Sequence, residues 1–234
     1  MCFSAEADLV SAAVIGAIGA ATLAKVRAPR EIPLAAMPIA FALHQFTESF
    51  VWRDLDAGHT PATGTAVILY LVFAWVLLPV LAPLAFLLVE PPGPRRRRLV
   101  PFVVMGALAG GYLAVAVVSG DASAHATHHT IQYGGAGELA WIATVLYVVA
   151  TCGAPLLSGF RAIVWFGIAN VVAVAAIVTI QAEGLTSVWC LWAAVVSVLI
   201  YVQFTWWRRD DDRRDADRRD ADHPDAPHPA SAPG

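Results

Sequence analysis

The chain has 234 residues, of which 58% are hydrophobic and only 14% charged, about half the charge of a soluble domain. Residues 208–234 hold 6 Arg and 8 Asp, which leaves 9 basic and 10 acidic side chains for the 207 residues before them. A water-soluble globule is excluded, and a net charge of -3 offers no basic field for nucleic acid.

Apolar runs long enough to cross about 30 Å of hydrocarbon, roughly 20 residues each, occur at Leu9–Val26, Ile32–Trp52, Thr65–Val89, Leu99–Ser119, Glu138–Leu157, Phe160–Ile180 and Thr186–Trp207. They predict an all-α bundle of seven transmembrane helices over residues 1–207. The first run follows Glu6 and Asp8 with no basic residue, the reverse of a signal peptide's start, and is expected to stay in the mature chain. The loops after runs one, three and five carry Lys25, Arg27, Arg30, Arg95–Arg98 and Arg161, whereas the opposite side has only Arg53. The positive-inside rule therefore puts the N-terminus outside and the C-terminus in the cytoplasm, with the chain in the plasma (inner) membrane and the lipid bilayer as its partner. The Arg/Asp blocks and Pro/Ala stretch of residues 208–234 cannot bury enough apolar surface to offset chain entropy, and a disordered cytoplasmic tail is expected.

Within the spans, Pro79 and Pro83 predict a kink packed against neighbours or facing a polar cavity. Gly106 with Gly110, and Ala12, Gly16 and Ala20, form small-xxx-small patterns that serve close helix packing. Ser4 is a good N-cap, and Glu6 and Asp8 suit the first turn that follows it.

This topology gathers distant residues on the outer face. His44, Glu48 and Trp52 recur at steps of four, so they share one stripe of the second helix. An ionisable Glu48 about one turn inside the boundary marks a bundle-interior site, with His44 one turn deeper as a second group able to bind metal or move a proton. The loop of residues 120–137 carries His125, His128 and His129, which a helical turn would bring to one face at metal-ligand spacing. Cys2 and Cys190 both fall at the outer boundary, where a disulfide is the preferred reading and thiolate ligation or redox chemistry the rival. Cys152, deeper in the fifth run, reads as a small apolar side chain.

MCFSA at positions 1–5, Gln45 with Glu48 and Trp52, Pro79 and Pro83 ahead of Glu90, His128-His129 with Tyr133, Ala150-Thr151 ahead of Pro155, and Ser187-Val188-Trp189-Cys190 mark a similarity. Over about residues 1–205 the chain resembles an uncharacterised family of bacterial, actinobacterial-type multi-pass membrane proteins. No activity comes with that resemblance. Glutamine often stands in that family where this chain has His44, which implies more weight on Glu48, His128 and His129. A looser analogy is with seven-helix membrane hydrolases of the alkaline ceramidase and progestin-receptor type, which hold zinc through histidines; only the helix count is similar.

Three readings follow. The first is an outward-facing site of Glu48, His128, His129, His125 and His44 that binds a divalent metal such as zinc or a small polar ligand. The second is a membrane hydrolase in which a His-held metal activates water, Glu48 is the general base and Tyr133 steadies a developing oxyanion. The third is a small transporter or sensor with Glu48 as a proton-coupled carboxyl and the Pro79/Pro83 segment as its mobile element.

Overall fold

A computed structural model describes residues 4–59, 62–120, 122–127, 130–180 and 192–207. The helices follow the apolar runs one for one. Ser4 caps α1 (Ala5–Leu23) by accepting the Ala7 N–H at 3.3 Å. After a single 3-10 turn comes α2 (Ile32–Asp56), which enters through Pro33 in its first turn. The third run is a continuous rod in three parts: α3 (Thr65–Leu71), a π-helical segment (Val72–Leu77) and α4 (Leu78–Val89). Then follow α5 (Pro94–Val118), α6 (Ala140–Leu156), α7 (Arg161–Ile180) and α8 (Trp192–Trp207). Three of these rods, Ala5–Leu23, Thr65–Val89 and Pro94–Val118, are long and apolar enough to cross a membrane, and three more apolar helices are shorter.

The chain is not all-α. Where a helical turn was expected in residues 120–137, β1 (Ser123–Thr127) and β2 (Thr130–Gly134) form an antiparallel pair, with His125 opposite Gln132 and Ala124 opposite Tyr133. The reason is a period of two. Ala122, Ala124 and Ile131 are buried, while His125, next to Ala124 in β1, is exposed. β-branched and aromatic residues in β2 complete the pattern. Ala62, in the α2–α3 connection, joins this sheet through two 2.9 Å backbone hydrogen bonds with Ala124. The hairpin thus closes one end of the bundle, over a core containing Ala5, Val51, Trp52, Leu55, Val67, Tyr70 and Val117.

A larger core, with Phe41, Phe86, Leu99, Phe166 and Phe204, fills the middle and the opposite end. That far end is pinned by Glu90, the residue capping α4, which is buried and accepts bonds from Ser158 Oγ at 3.0 Å and the Gly159 N–H at 3.1 Å. Two loops of the basic side are thereby tied together. Lys25, past the end of α1, lies 5.1 Å over the Tyr201 ring of α8.

The small residues act where backbones meet. A Cβ on Gly106 would stand 1.9 Å from the Pro79 carbonyl oxygen, and one on Gly110 would stand 2.8 Å from that of Val76. Pro83 has no N–H to offer the Pro79 carbonyl and Pro79 has none for Trp75; the rod is π-helical just before Pro79, and α5 approaches the Pro79 and Val76 carbonyls. In α1 the tight contact is at Gly19, whose Cβ would meet Ile39 at 2.7 Å; Gly16 makes ordinary contact with Ala42 and Ala20 is exposed. The Ala12–Gly16–Ala20 pattern was therefore displaced by part of a turn from the true contact stripe, Asp8, Ile15, Gly19 and Thr22.

Candidate functional site

The antiparallel register of α1 and α2 pairs Gly19 with Ile39 and Gly16 with Ala42. Continued toward the hairpin end, it sets Asp8 level with residue 50, between Glu48 and Trp52. Both carboxyls are fully buried there, at 0% exposure, and the Asp8 charge acts on Glu48. Neither Asp8 carboxyl oxygen has a hydrogen-bond partner among the described residues. Glu48 takes a hydrogen bond from the Tyr70 hydroxyl and lies beside that of Tyr133.

His44, Glu48 and Trp52 are buried together along one stripe, with Gln45 and Ser49 beside them. His44 is the inner member of a ring column. Its imidazole stacks on Tyr70 at 4.0 Å between centroids and lies 4.5 Å from Phe73, while Tyr70 stacks in turn on Tyr133 at 4.2 Å and 12°. The π segment supplies Phe73 and α3 supplies Tyr70, so two elements meet on one α2 histidine, and the hairpin adds Tyr133 on the far face of Tyr70. His44 Nδ1 has no hydrogen-bond partner among the described residues, and rings on two sides keep it from the hairpin.

Beyond this column is a cleft of about 550 Å³ whose walls include Tyr70, Ala74, Trp75, Gln132, Tyr133, Thr144 and Tyr147. Tyr112 holds its rim, accepting the Leu139 N–H at 3.1 Å; a side chain at Gly137, where φ is +75°, would collide with that hydroxyl at 2.8 Å. Burial pushes the Tyr133 phenol well above its ordinary value, and the neighbouring Tyr70 and Glu48 push in the same direction. The neutral phenol is a hydrogen-bond donor set between the cleft and the carboxyl pair. Tyr133 therefore lines the cleft on one side and stacks on Tyr70, beside Glu48, on the other.

The remaining sequence candidates separate. His125 is exposed on β1, away from the carboxyl pair, because strand geometry replaced the helical turn that would have grouped it with its neighbours. His128 and His129, between the strands, and Cys2 and Cys190 lie outside the described residues. Among the described residues no group of three His, Cys, Asp or Glu side chains converges as a metal site. Cys152 is a free, buried thiol in α6.

Three residues at the site, Asp8, Tyr70 and Trp75, escaped the sequence reading. Asp8 was explained as a helix-start acid, yet it begins the stripe Asp8, Ile15, Gly19, Thr22 that faces α2. Tyr70 and Trp75 are the polar-tipped side chains of an otherwise hydrocarbon run from Ala66 to Val89, a signal that was available.

The chain belongs to DUF6629, a family of unknown function, which it matches over residues 1–218. Neither a curated protein nor a solved structure matches it.

Proposed function

We propose that the chain is a seven-span integral plasma-membrane protein, N-terminus outside and C-terminus in the cytoplasm, that receives a small organic cation from the outer side in the hairpin-covered cleft. The topology is supported by eight basic loop residues, Lys25, Arg27, Arg30, Arg95, Arg96, Arg97, Arg98 and Arg161, falling at the end opposite the hairpin, two of whose loops are joined through Glu90. The single observation that carries the binding reading is the Asp8–Glu48 pair, buried behind the two stacked phenols that wall the cleft.

Ionisable groups at membrane depth are costly and are kept where they act on a ligand or a proton. Two neighbouring buried carboxyls are relieved by sharing one cation or one proton between them. A phenol that donates to a carboxyl becomes a better acceptor toward the cleft, and the rings of Tyr70, Trp75, Tyr133 and Tyr147 offer the electron-rich surface that favours ammonium groups. No Lys or Arg lines the cleft among the described residues, so an anionic head would find no partner there. A cleft of about 550 Å³ also exceeds the needs of a lone metal ion. The protein is then a sensor or carrier in which Glu48 exchanges its proton for the cation. The hydrolase reading rests on His128 and His129 supplying a metal.

The test is thermal stabilisation of the purified protein by tetramethylammonium, ethylammonium, acetate, glycerol and zinc, with bound metal measured by mass spectrometry. The expected result is stabilisation by the ammonium compounds, lost in Asp8→Asn and Glu48→Gln. Equal stabilisation of wild type and both variants, or none in wild type, refutes the reading; co-purifying zinc that disappears in His128→Ala/His129→Ala replaces it with the metal site.

A further inference from the structure

Four consecutive arginines open α5, at the end of the bundle opposite the cleft. Arg95, Arg97 and Arg98 are exposed, Arg96 is half-buried, and no acidic residue shares their turn. Peptide dipoles place partial positive charge at a helix start, so four cations there oppose the helix they begin. The neighbouring acids do not relieve them. Glu90 is buried and taken by Ser158 and Gly159, and Glu31 accepts the Arg27 and Ala28 N–H groups. Among the described residues none of the four arginines makes an ion pair. The Glu90 clasp also brings the α6–α7 loop to Arg95: a Cβ on Gly159 would stand 2.9 Å from its Nη1, and Arg161 follows two residues later.

What the run adjoins identifies its partner. Arg97, Val100, Val104, Leu108 and Val115 are all exposed and follow at spacings of three, four and seven, so one face of α5 carries a cation at its end and hydrocarbon along the rest. That face runs about 27 Å from Arg97 to Val115. Leu99, on the opposite side, is buried in the core. In a bilayer such a face meets acyl chains, and the guanidinium groups at its end stand at headgroup level. Trp165 of α7 and Trp206 of α8, both exposed near the same end, are side chains that favour that level. A guanidinium fork matches the oxygens of a phosphate. A nucleic acid or an acidic peptide would satisfy the arginines and leave the hydrocarbon unmatched, whereas a phospholipid satisfies both.

We propose that the start of α5 is a docking site for an anionic phospholipid, its phosphate among Arg96, Arg97 and Arg98 and an acyl chain along Val100, Val104 and Leu108. The site is separate from the cleft and rests only on the chain's spanning a membrane. An acyl chain gains little by exchanging one apolar neighbour for another. Selectivity therefore comes from the charged head, as expected of basic clusters beside a membrane span. Bound lipid supplies the negative charge that the first turn of α5 lacks, and so steadies the helix whose glycines lie against the Pro79 and Val76 carbonyls.

The test compares the full chain in nanodiscs of phosphatidylcholine alone and of phosphatidylcholine with one quarter phosphatidylglycerol, by thermal unfolding and by mass spectrometry of the lipids that stay bound after mild detergent extraction. Wild type should unfold at a higher temperature with phosphatidylglycerol and retain that lipid at least tenfold beyond its share. Arg96→Gln/Arg97→Gln/Arg98→Gln should lose both effects and, freed of cations at the helix start, unfold about 2–6 °C above wild type in phosphatidylcholine alone. Lys25→Gln/Arg27→Gln/Arg30→Gln removes the same charge from another loop at that end and should keep most of the enrichment. Equal loss in the two variants overturns the site in favour of a diffuse field, and no enrichment in wild type overturns it outright. Enrichment that appears only in Asp210→Asn/Asp211→Asn/Asp212→Asn overturns it in favour of the chain's own tail as the occupant of the arginines. A chain that fails to enter nanodiscs of either composition contradicts the membrane reading instead.

Discussion

Substituting the α5 glycines tests the scaffold that holds the site. At Gly106 a new Cβ would stand 1.9 Å from the Pro79 carbonyl oxygen, where an ordinary C···O approach is about 3.3 Å or more. The obstacle is backbone, so no rotamer relieves it and α5 has to back away by about 1.4 Å. Overpacking of this kind costs about 1–3 kcal/mol, and a rigid obstacle belongs at the upper end. The better helix propensity of alanine returns about 1 kcal/mol, leaving Gly106→Ala about 2 kcal/mol less stable than wild type. Gly110→Ala, with 2.8 Å to the Val76 oxygen, should come close to neutral, because a smaller shift offsets the same propensity gain. Gly111→Ala meets nothing within 4 Å and should stabilise by about 1 kcal/mol. At about 2–4 °C per kcal/mol for a chain this size, thermal unfolding in detergent should fall by about 4–8 °C for Gly106→Ala and rise by about 2–4 °C for Gly111→Ala. If the two variants unfold at the same temperature, the close approach of α5 to the π segment is wrong, and with it the placement of Phe73 and Trp75.

The Tyr133 phenol, raised by burial, is neutral in the folded protein beyond the range where an unfolded tyrosine ionises. Its contribution to stability is therefore full below about pH 10 and declines as pH rises further. Following phenolate absorbance and unfolding from pH 9 to 12, Tyr133→Phe should lose a late-titrating phenolate of the five tyrosines and lose less stability with alkali; an unchanged titration contradicts the burial. Gly159→Ala would bring a Cβ within 2.7 Å of Glu90 Oε1 and 2.9 Å of Arg95 Nη1, and should destabilise by about 1–2 kcal/mol by chemical unfolding. In a Glu90→Gln background that penalty should shrink, because the bonds it breaks are already weakened. Asp8→Asn and Glu48→Gln should be non-additive by about 0.5–3 kcal/mol in a double-mutant cycle of unfolding, and strict additivity would separate the two carboxyls.

The helices were legible because hydrocarbon-length runs announce themselves: each of the seven apolar runs holds a helix over most of its described residues. Their ends were less so. α2 continues to Asp56, four residues past the apolar run, since helix hydrogen bonding stops at a turn and not at the edge of hydrophobicity. The stripe of His44, Glu48 and Trp52 was legible from its steps of four. The hairpin was not, because histidine spacing in residues 125–129 suggested a helical period while the buried Ala122, Ala124 and Ile131 carried a period of two. Asp8 was hidden by its own plausibility: an acid three residues into a capped helix satisfies local rules, and only the Gly16 and Gly19 contacts fix its height against Glu48. Gly106 and Gly110 were read as packing devices and nothing more, yet they set α5 against the segment that carries the cleft's rings.

The manner in which this bundle treats its other buried polar groups separates the Asp8–Glu48 pair from mere packing. Thr22, Ser49, Thr151 and Ser197 bond back to carbonyls of their own helices, at Ile18, Phe46, Tyr147 and Ala193, which satisfies a hydroxyl in an apolar interior at little cost. Glu90 is a buried carboxyl with a structural task, and the fold surrounds it accordingly with the Ser158 hydroxyl and the Gly159 N–H. Asp8 receives no such bond from the described residues, although it is as deeply buried and faces a second carboxyl. A structural role would be better served there by Asn or Ser, which burial penalises less. The same chain thus contains a solved carboxyl and an unsolved one. The unsolved one sits behind the phenols of the cleft, where an incoming cation would supply the partner that the described residues do not.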